Sequence, residues 1–467
     1  MIDKWNMGSA NIGKLFLKFT FPATIGLVAA GVQGIITGLF VGNAVGSQGL
    51  AATTLAYPAL VAMFAIAQMI GVGTSSLVAL NLGRANRQEA LRFVHNAFSL
   101  LLLVGIGLTA FGLAFSGFYL RLLGASGSVF HMANTYLKII SAGSVFVLLA
   151  LALDPLVRND GKPRLSMICL AMSSLINIGL DYLLVMRMGM GVTGAAISMV
   201  TAFAFSGTLL SLYFFSRWAG LRLKPSSLFL KPGIVLGIIE TGLPSFALQF
   251  STFFLLFANN YMLLKYGSEL AVSGYGIIGY VFSAFSFIFE GIALGTQPII
   301  GFNYGARYYS RVAGVLKMAV ISCLGTGVIG FMLLSIFPEQ IIHIFNHNSP
   351  ELLAITLNGM GIFMFTPLAQ GTVMLSSVYF QSTNRSRAAL SIQLGKIFLF
   401  FSPLIWILPS LFDLDGVWLA TPAAEFLMFL VVIGLLWKEF GFLKNGVTVS
   451  GEGQFPASDI TLTSNED

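Results

Sequence analysis

GTSSLVALNLG, residues 73–83, and GTQPIIGFNYG, residues 295–305, are two versions of one segment, one in each half of the chain. Gly73, Thr74, Asn81 and Gly83 fall on Gly295, Thr296, Asn303 and Gly305, and at the same offset Pro22 falls on Pro244 and Gln68 on Glu290. The chain is therefore built from two copies of one plan, and the natural working site of such a chain lies where the copies meet.

The setting of those copies is a membrane. Hydrophobic residues make up 56% of the sequence and charged residues 9%, and the apolar runs are too long and too many to be the cores of soluble domains. Runs near residues 12–40, 52–80, 93–119, 130–157, 165–187 and 191–216 form a first set of six. A second set lies near 237–264, 270–300, 312–337, 352–380, 387–411 and 415–438. Each is long enough as a helix to cross a hydrocarbon core of about 30 Å. The expected fold is an all-α integral membrane protein with twelve transmembrane helices in two pseudo-symmetric six-helix bundles. No small-residue cleavage site follows the first run, so a removable signal peptide is not expected.

Charge sets the orientation. Twenty of the 25 basic residues fall in alternate loops and the two termini, among them Arg84, Arg158, Lys224, Arg307 and Arg385. The other side keeps Arg121, Lys138, Arg187 and Lys265, and Lys396 lies inside a span. The positive side is the cytoplasmic one, which puts both termini in the cytoplasm of a multi-pass protein, most simply one of a bacterial inner membrane. The net charge of +7 is thus a topology signal and not the mark of a nucleic-acid binder. The resulting division is an amino-terminal lobe over residues 1–216, a cytoplasmic linker over 217–236, a carboxy-terminal lobe over 237–440 and a disordered cytoplasmic tail over 441–467.

Ionisable groups inside spans are costly and so are the first candidates for function. Asp181 lies one helical turn after Asn177 in the string NIGLD, which lets both face one interior cavity and suggests a proton or ion site. Asp154 and Arg158 have the spacing of a helical ion pair. Glu290 and Glu425 give the second half its own acids, and the pairing of Glu290 with Gln68 in the repeat points to a cavity between lobes. Lys396 needs an acidic partner from another helix. Pro22 and Pro244 remove a backbone hydrogen bond from the first helix of each half and permit a bend suited to alternating access.

Other signals exclude. His343 and His347 have no further ligand pattern around them, so no metal site is expected. Cys169 and Cys323 sit in apolar segments of opposite halves, which disfavours a disulfide. No phosphate-binding loop, HExxH helix or nucleophile elbow appears, so neither an ATPase nor an intramembrane enzyme is indicated, and no cofactor is expected.

The strings RNDGKP (158–163), NIGLD (177–181), GTQPIIGFNYGAR (295–307) and LDGVWLATP (414–422) together resemble those of the multidrug and toxic compound extrusion (MATE) family, in its DinF-like branch. The resemblance covers about residues 10–440 and rests most on the pattern from Gln297 to Gly305. It implies a V-shaped pair of six-helix lobes and export of small organic cations or amphiphiles, as a monomer, driven by entry of protons or sodium. It also implies roles. Asn177 and Asp181 match the polar site of the amino lobe, Tyr136 matches a tyrosine beside it, Pro22 matches a gating proline, and Gln297 joins Gln68, Glu290 and Glu425 as candidates for the substrate cavity.

The chain departs from the pattern in places. Thr37 stands where related transporters carry an aspartate, and Met199 stands where they carry a hydroxyl. With two oxygen ligands lost, a sodium site looks poorer and protons are the preferred coupling ion. An expected arginine-glutamine pair is replaced near Leu394 and Gly395, ahead of Lys396. Two other readings stay open: a flippase of lipid-linked precursors, which would favour a basic cavity, and a membrane scaffold without transport.

Overall fold

In a computed structural model that describes residues 7–224, 230–345 and 349–449, regular structure is entirely helical. That is what a hydrocarbon environment demands, because a helix satisfies its backbone groups within one segment. The first half comprises α1 (Ile12–Val45), α2 (Ser47–Gly83), α3 (Arg87–Leu122), α4 (Gly127–Ala142), α5 (Ser144–Asn159), α6 (Pro163–Leu180) with a π-helical continuation over Asp181–Arg187, and α7 (Gly191–Phe215). The second half comprises α8 (Pro232–Tyr266), α9 (Glu269–Gly305), α10 (Tyr309–Ile336), the short α11 (Pro338–His343), α12 (Pro350–Phe363), α13 (Thr366–Ser382), α14 (Ser386–Leu394) with a π-helical continuation over Gly395–Phe401, and α15 (Ser402–Val449).

Nine helices among the described residues are long and apolar enough to cross a membrane by themselves. Two bent pairs raise the number to eleven: α4 with α5, at 57°, and α12 with α13, at 50°. The first bend falls on Gly143, where a Cβ would meet Val200 at 2.5 Å, and the second precedes Thr366 and Pro367. The remaining stretch, Ser386–Asn445, runs 60 residues and is too long for one crossing, about 90 Å at the helical rise. Its backbone leaves helical geometry at Phe412 and Asp413, the latter at φ 47° and ψ −128°. Counted as two passes across that break, it completes the twelve spans expected from the sequence. The last helix runs on to Val449, past the lobe boundary placed at residue 440, while residues 450–467 lie outside the described part, as do residues 225–229 of the linker and His347.

The repeat reappears as geometry. Asn81 and Asn303 each donate from Nδ2 to the carbonyl four residues back, Leu77 and Ile299, at 2.8 Å. Each helix then ends through a left-handed residue, Ala85 at φ 61° and Arg307 at φ 63°. The following amides, Asn86 N and Tyr308 N, return to the carbonyls of Asn81 and Asn303 at 2.9 and 2.8 Å. Both copies close α2 and α9 with the same turn.

These helix ends also join the lobes. A Cβ on Gly83 would strike the Phe302 carbonyl, and a Cβ on Gly305 would strike the Leu80 carbonyl. Leu80 and Phe302 are themselves equivalent positions of the repeat, so the crossing of α2 and α9 is reciprocal about a pseudo-two-fold axis. Farther along, a Cβ on Gly73 would sit 2.5 Å from the Ile238 carbonyl on α8, and one on Gly295 would sit 2.6 Å from the Thr20 Cα on α1. The close approach continues to Gly31, which faces Phe287, and then stops. Gly34 and Gly38 on α1, and Gly276 and Gly279 on α9, have no described neighbour within 4 Å of a Cβ position. The lobes meet over one part of their depth and part over the rest, which leaves a cleft.

The seam therefore has no room for a methyl group. Gly83→Ala and Gly305→Ala are each expected to destabilise it by about 1–3 kcal/mol, the usual range for overpacking, and so to lower the melting temperature of the purified protein. Gly34→Ala and Gly38→Ala face open space inside α1 and should leave that temperature undiminished or raise it slightly, because alanine favours the helix over glycine by about 0.5–1 kcal/mol. Equal behaviour of the two sets would rule out a backbone contact at the α2–α9 crossing.

Candidate functional site

Within the amino-terminal lobe, three polar side chains from two helices meet where the surroundings are apolar. Thr37 on α1 donates its hydroxyl to Asp181 Oδ2 at 2.5 Å and lies 3.0 Å from the Asn177 amide. Asn177 and Asp181 are fully buried. In the orientation of the Asn177 amide that satisfies its neighbours, Nδ2 donates to Asp181 Oδ2 at 3.1 Å and Oδ1 accepts from the Met199 amide at 3.0 Å. Among the described residues, Asp181 Oδ1 has no hydrogen-bond partner. One carboxylate oxygen is thus held by two donors and the other is free to take a proton.

The local backbone assists. Asp181 is the first residue of the π-helical segment, where helical hydrogen bonding changes from four to five residues, a feature frequent at functional positions. Its amide still reaches the Asn177 carbonyl, so the two side chains stay one turn apart on one face, as the spacing predicted. Tyr136 on α4 is buried within the field of the Asp181 carboxylate.

Thr37 acquires a reason here. A second aspartate at this position would place two carboxylates at hydrogen-bond distance, and like charges so close cannot both ionise. A threonine supplies a donor instead. The loss of a hydroxyl inferred at Met199 needs correction, because the adjacent Ser198 lies beside the Asp181 carboxylate, with its own hydroxyl bonded to the Gly194 carbonyl at 2.8 Å. Gln33, one turn before Thr37 on α1, also reaches the cluster, with its amide 3.0 Å from Asn177 Nδ2. Neither Ser198 nor Gln33 was marked by the sequence. Only helical spacing from Thr37 could have indicated Gln33.

The other candidates separate into three places. Glu290 and Gln68 line one pocket between the lobes, together with Ser245, Gln249 and apolar groups from α2, α8, α9 and α13. Gln297, expected in the cavity, is instead fully buried in the seam. Its Nε2 donates to the Val72 carbonyl at 3.1 Å and to Ser76 Oγ at 2.8 Å, and its Oε1 accepts from Ser75 at 3.3 Å. It lies on the face of α9 turned toward α2, so it joins the helices and is not among the residues that line the pocket with Glu290. Glu425, also expected in the cavity, is buried within the carboxy-terminal lobe, where its Oε1 meets Lys396 Nζ at 2.8 Å. That contact supplies the partner Lys396 required.

The RNDGKP loop is structural. Asp154 and Arg158 form the expected ion pair at 2.5 Å, with Arg158 only 1% exposed and Ser166 bonded to the second oxygen of Asp154. Asp160 accepts from Tyr213 and from the amides of Gly220 and Leu221, which ties the start of the linker to the lobe.

Comparison with known proteins matches this plan. The MatE family signature aligns with residues 22–183 and again with 244–407, one copy in each lobe, beginning at Pro22 and at Pro244. The chain is 25% identical over 434 residues to the multidrug export protein MepA of Staphylococcus haemolyticus, covering 91% of this chain and 94% of that one. It is 26% identical over 454 residues to MepA of Staphylococcus aureus, covering 93% and 95%. Among solved structures, the MATE multidrug transporter DinF-BH superposes with a TM-score of 0.83 at 29% identity, over 92% of this chain and 96% of that one. An outward-facing MATE family transporter of the MOP superfamily superposes with a TM-score of 0.89 at 20% identity, over 95% and 99%, a likeness of fold. With the family signature present twice, once in each of the two lobes that the repeat builds, the chain belongs to the MATE family.

Proposed function

We propose that the protein is a multidrug exporter of the cell membrane, which moves small cationic or amphipathic organic compounds out of the cell as a monomer by antiport with protons, both termini facing the cytoplasm. The observation that carries this reading is the bond between Thr37 and Asp181, because it fastens one end of α1 to the buried carboxylate. The other part of α1 lies on the opposite lobe, where Thr20 and Thr24 face Gly295 and Gly291 of α9. The same helix therefore touches both the titrating group and the seam.

The cycle follows from those contacts. With Asp181 ionised, Thr37 and Asn177 donate to it and α1 is held against α6. A proton entering from outside settles on the unpartnered Oδ1 and removes the charge. Hydrogen bonds to a charged group contribute about 1.5–3 kcal/mol, so their weakening shifts a two-state equilibrium by roughly 10- to 100-fold, enough to change which conformation dominates. Pro22 lies inside α1 without an amide hydrogen to hold the preceding turn, and the helix yields there. Repacking of α1 then reaches the α9 contact, the cleft changes sides, and loss of the proton to the cytoplasm resets the site. Sodium fits less well, since the cluster presents a single carboxylate to an ion that prefers several hard oxygens. A flippase of phosphorylated lipids draws no support from Lys396, whose charge is taken up by Glu425.

In proteoliposomes, an imposed proton gradient should drive export of a cationic dye, while a sodium gradient alone should not. Dye movement driven only by sodium would overturn the coupling assignment, and none under either gradient would favour a scaffold. Asp181→Asn should abolish gradient-driven export at parental expression, since the side chain is then fixed in a neutral state. Parental rates in that variant would place the coupling group elsewhere. Pro22→Ala should reduce turnover while leaving insertion intact, and normal turnover would show that bending at this position is not used. Cysteines introduced at Asn86 and Lys224 should react with an impermeant thiol reagent only from the cytoplasmic side, and labelling from outside would reverse the topology.

A further inference from the structure

Counted along the chain, α1 belongs to the amino-terminal lobe, but its two ends lie in different cores. Leu15, Phe16 and Phe19 are buried in one apolar cluster with Leu316 of α10 and Tyr379 of α13. Val41, near the other end, is buried with Tyr136 and Val185 of the amino-terminal lobe. The first helix of the second half mirrors this exchange: Ile238 is buried in an amino-terminal core, Met262 and Leu263 in a carboxy-terminal one. Each half lends the start of its first helix to the other.

On α1 the exchange is clamped by a charged side chain. Arg311 of α10 donates from one terminal nitrogen to the Met7 carbonyl at 3.1 Å and to the Ala10 carbonyl at 2.6 Å, and from Nε to Asn303 Oδ1 at 3.0 Å. Asn303 in turn donates from Nδ2 to the Met7 carbonyl at 3.1 Å. A guanidinium is a rigid plane of donors, so bonds to two carbonyls and an amide at once fix both the place and the direction of the segment. Gly8 lies close against the same lobe, where a Cβ would meet the Tyr308 ring at 3.0 Å. The clamp is not a property of the repeat. Glu89 holds the place of Arg311 in the first half and pairs with Arg92 of its own helix. At the start of α8 the bond to α3 runs through an uncharged group, Asn96 Oδ1, which accepts from the Lys231 amide at 2.6 Å.

We propose that Arg311 is a positioning residue of the coupling cycle, which fastens residues 7–20 to the carboxy-terminal lobe while Thr37 fastens the far end of α1 to Asp181. The helix then spans two bodies that must turn against each other. Relative rotation of the lobes falls on the stretch between the anchors, where Pro22 lacks an amide hydrogen and Gly34 and Gly38 have no described neighbour within 4 Å of a Cβ position. Through that stretch, release of Thr37 by Asp181 bears on the lobe angle, and the lobe angle bears on the Thr37–Asp181 bond. With Arg311 removed, Asp181 still takes and loses its proton, but the start of α1 follows the amino-terminal lobe and the cleft no longer responds. The coupling role of Arg311 rests on the reading of Asp181 as the titrating group; the anchor itself does not.

Distances between spin labels on the full chain in lipid nanodiscs test the anchor. Lys14 on α1, Gln88 on α3 and Arg387 on α14 are exposed and carry the labels. The Lys14–Arg387 distance should be narrowly distributed and the same in the parental protein and in Asp181→Asn, while Lys14–Gln88 should shift by several ångströms between them. Arg311→Gln should broaden Lys14–Arg387. A Lys14–Arg387 distance that shifts while Lys14–Gln88 stays fixed, or a parental distribution in Arg311→Gln, would overturn the anchor. If neither distance responds to Asp181→Asn, the coupling reading of Asp181 fails, and the width in Arg311→Gln alone decides the anchor. Should Arg311→Gln not reach the membrane, Gly8→Val, which pushes the segment off Tyr308, takes its place, and an unchanged distribution there overturns the proposal. In proteoliposomes, dye exported per proton entering should fall severalfold in Arg311→Gln. Mere loss of folded protein lowers both fluxes together and leaves that ratio at its parental value, a result that would refute the positioning role.

Discussion

The crossing of α2 and α9 is the contact on which the rest of the structure depends. At Gly83 and Gly305 each helix presents backbone to the other's carbonyl, with no side chain between. Hydrocarbon provides no hydrophobic drive to press helices together, so close approach of small residues and satisfied polar groups must hold the lobes. Both are found here. Ser75 and Gln297, equivalent positions of the repeat, bond to each other across the pseudo-two-fold axis, and Gln297 reaches on to Val72 and Ser76. An axis occupied by a glycine pair and a polar pair fixes where the lobes touch, and the cleft is what remains beyond it.

Around that shared frame the two copies have taken different chemistry. The amino-terminal lobe buries a carboxylate held by Thr37 and Asn177, joined through Thr37 to α1, a helix that also lies against the other lobe. The carboxy-terminal lobe neutralises its buried charge internally, with Lys396 against Glu425, and turns a separate acid, Glu290, toward the cleft. A buried ion pair contributes little net stability after desolvation, but removal of either partner leaves an uncompensated charge, so the pair locks its lobe. The π-helical segments of α6 and α14 mark the same division, since one begins at Asp181 and the other carries Lys396.

Thr37 and Ser198 show how far local chemistry can be misjudged when positions are read one by one. Replacing an aspartate by threonine at residue 37 looks like the loss of a ligand. In the folded protein it exchanges a repulsive neighbour for a donor to Asp181. A hydroxyl inferred as missing at Met199 is present one residue earlier, at Ser198, because which of two neighbours on α7 faces α6 depends on the rotation of the helix and not on its composition.

The linear sequence by itself determined the membrane setting, the twelve crossings, the doubling and the membership of Asn177 and Asp181 in one site. Those follow from run length, from a constant offset between the two copies and from spacing along a single helix, quantities that folding does not alter. Only the tertiary structure decided what crosses between helices. It gave Lys396 its partner 29 residues away, withdrew Gln297 from the cavity into the seam, sent Glu425 into the interior of its lobe and left Glu290 and Gln68 facing the cleft together. The reason is geometric. A helix fixes which of its own residues share a face, but which neighbour that face meets depends on rotation and crossing, and in a membrane these are set by packing against other helices.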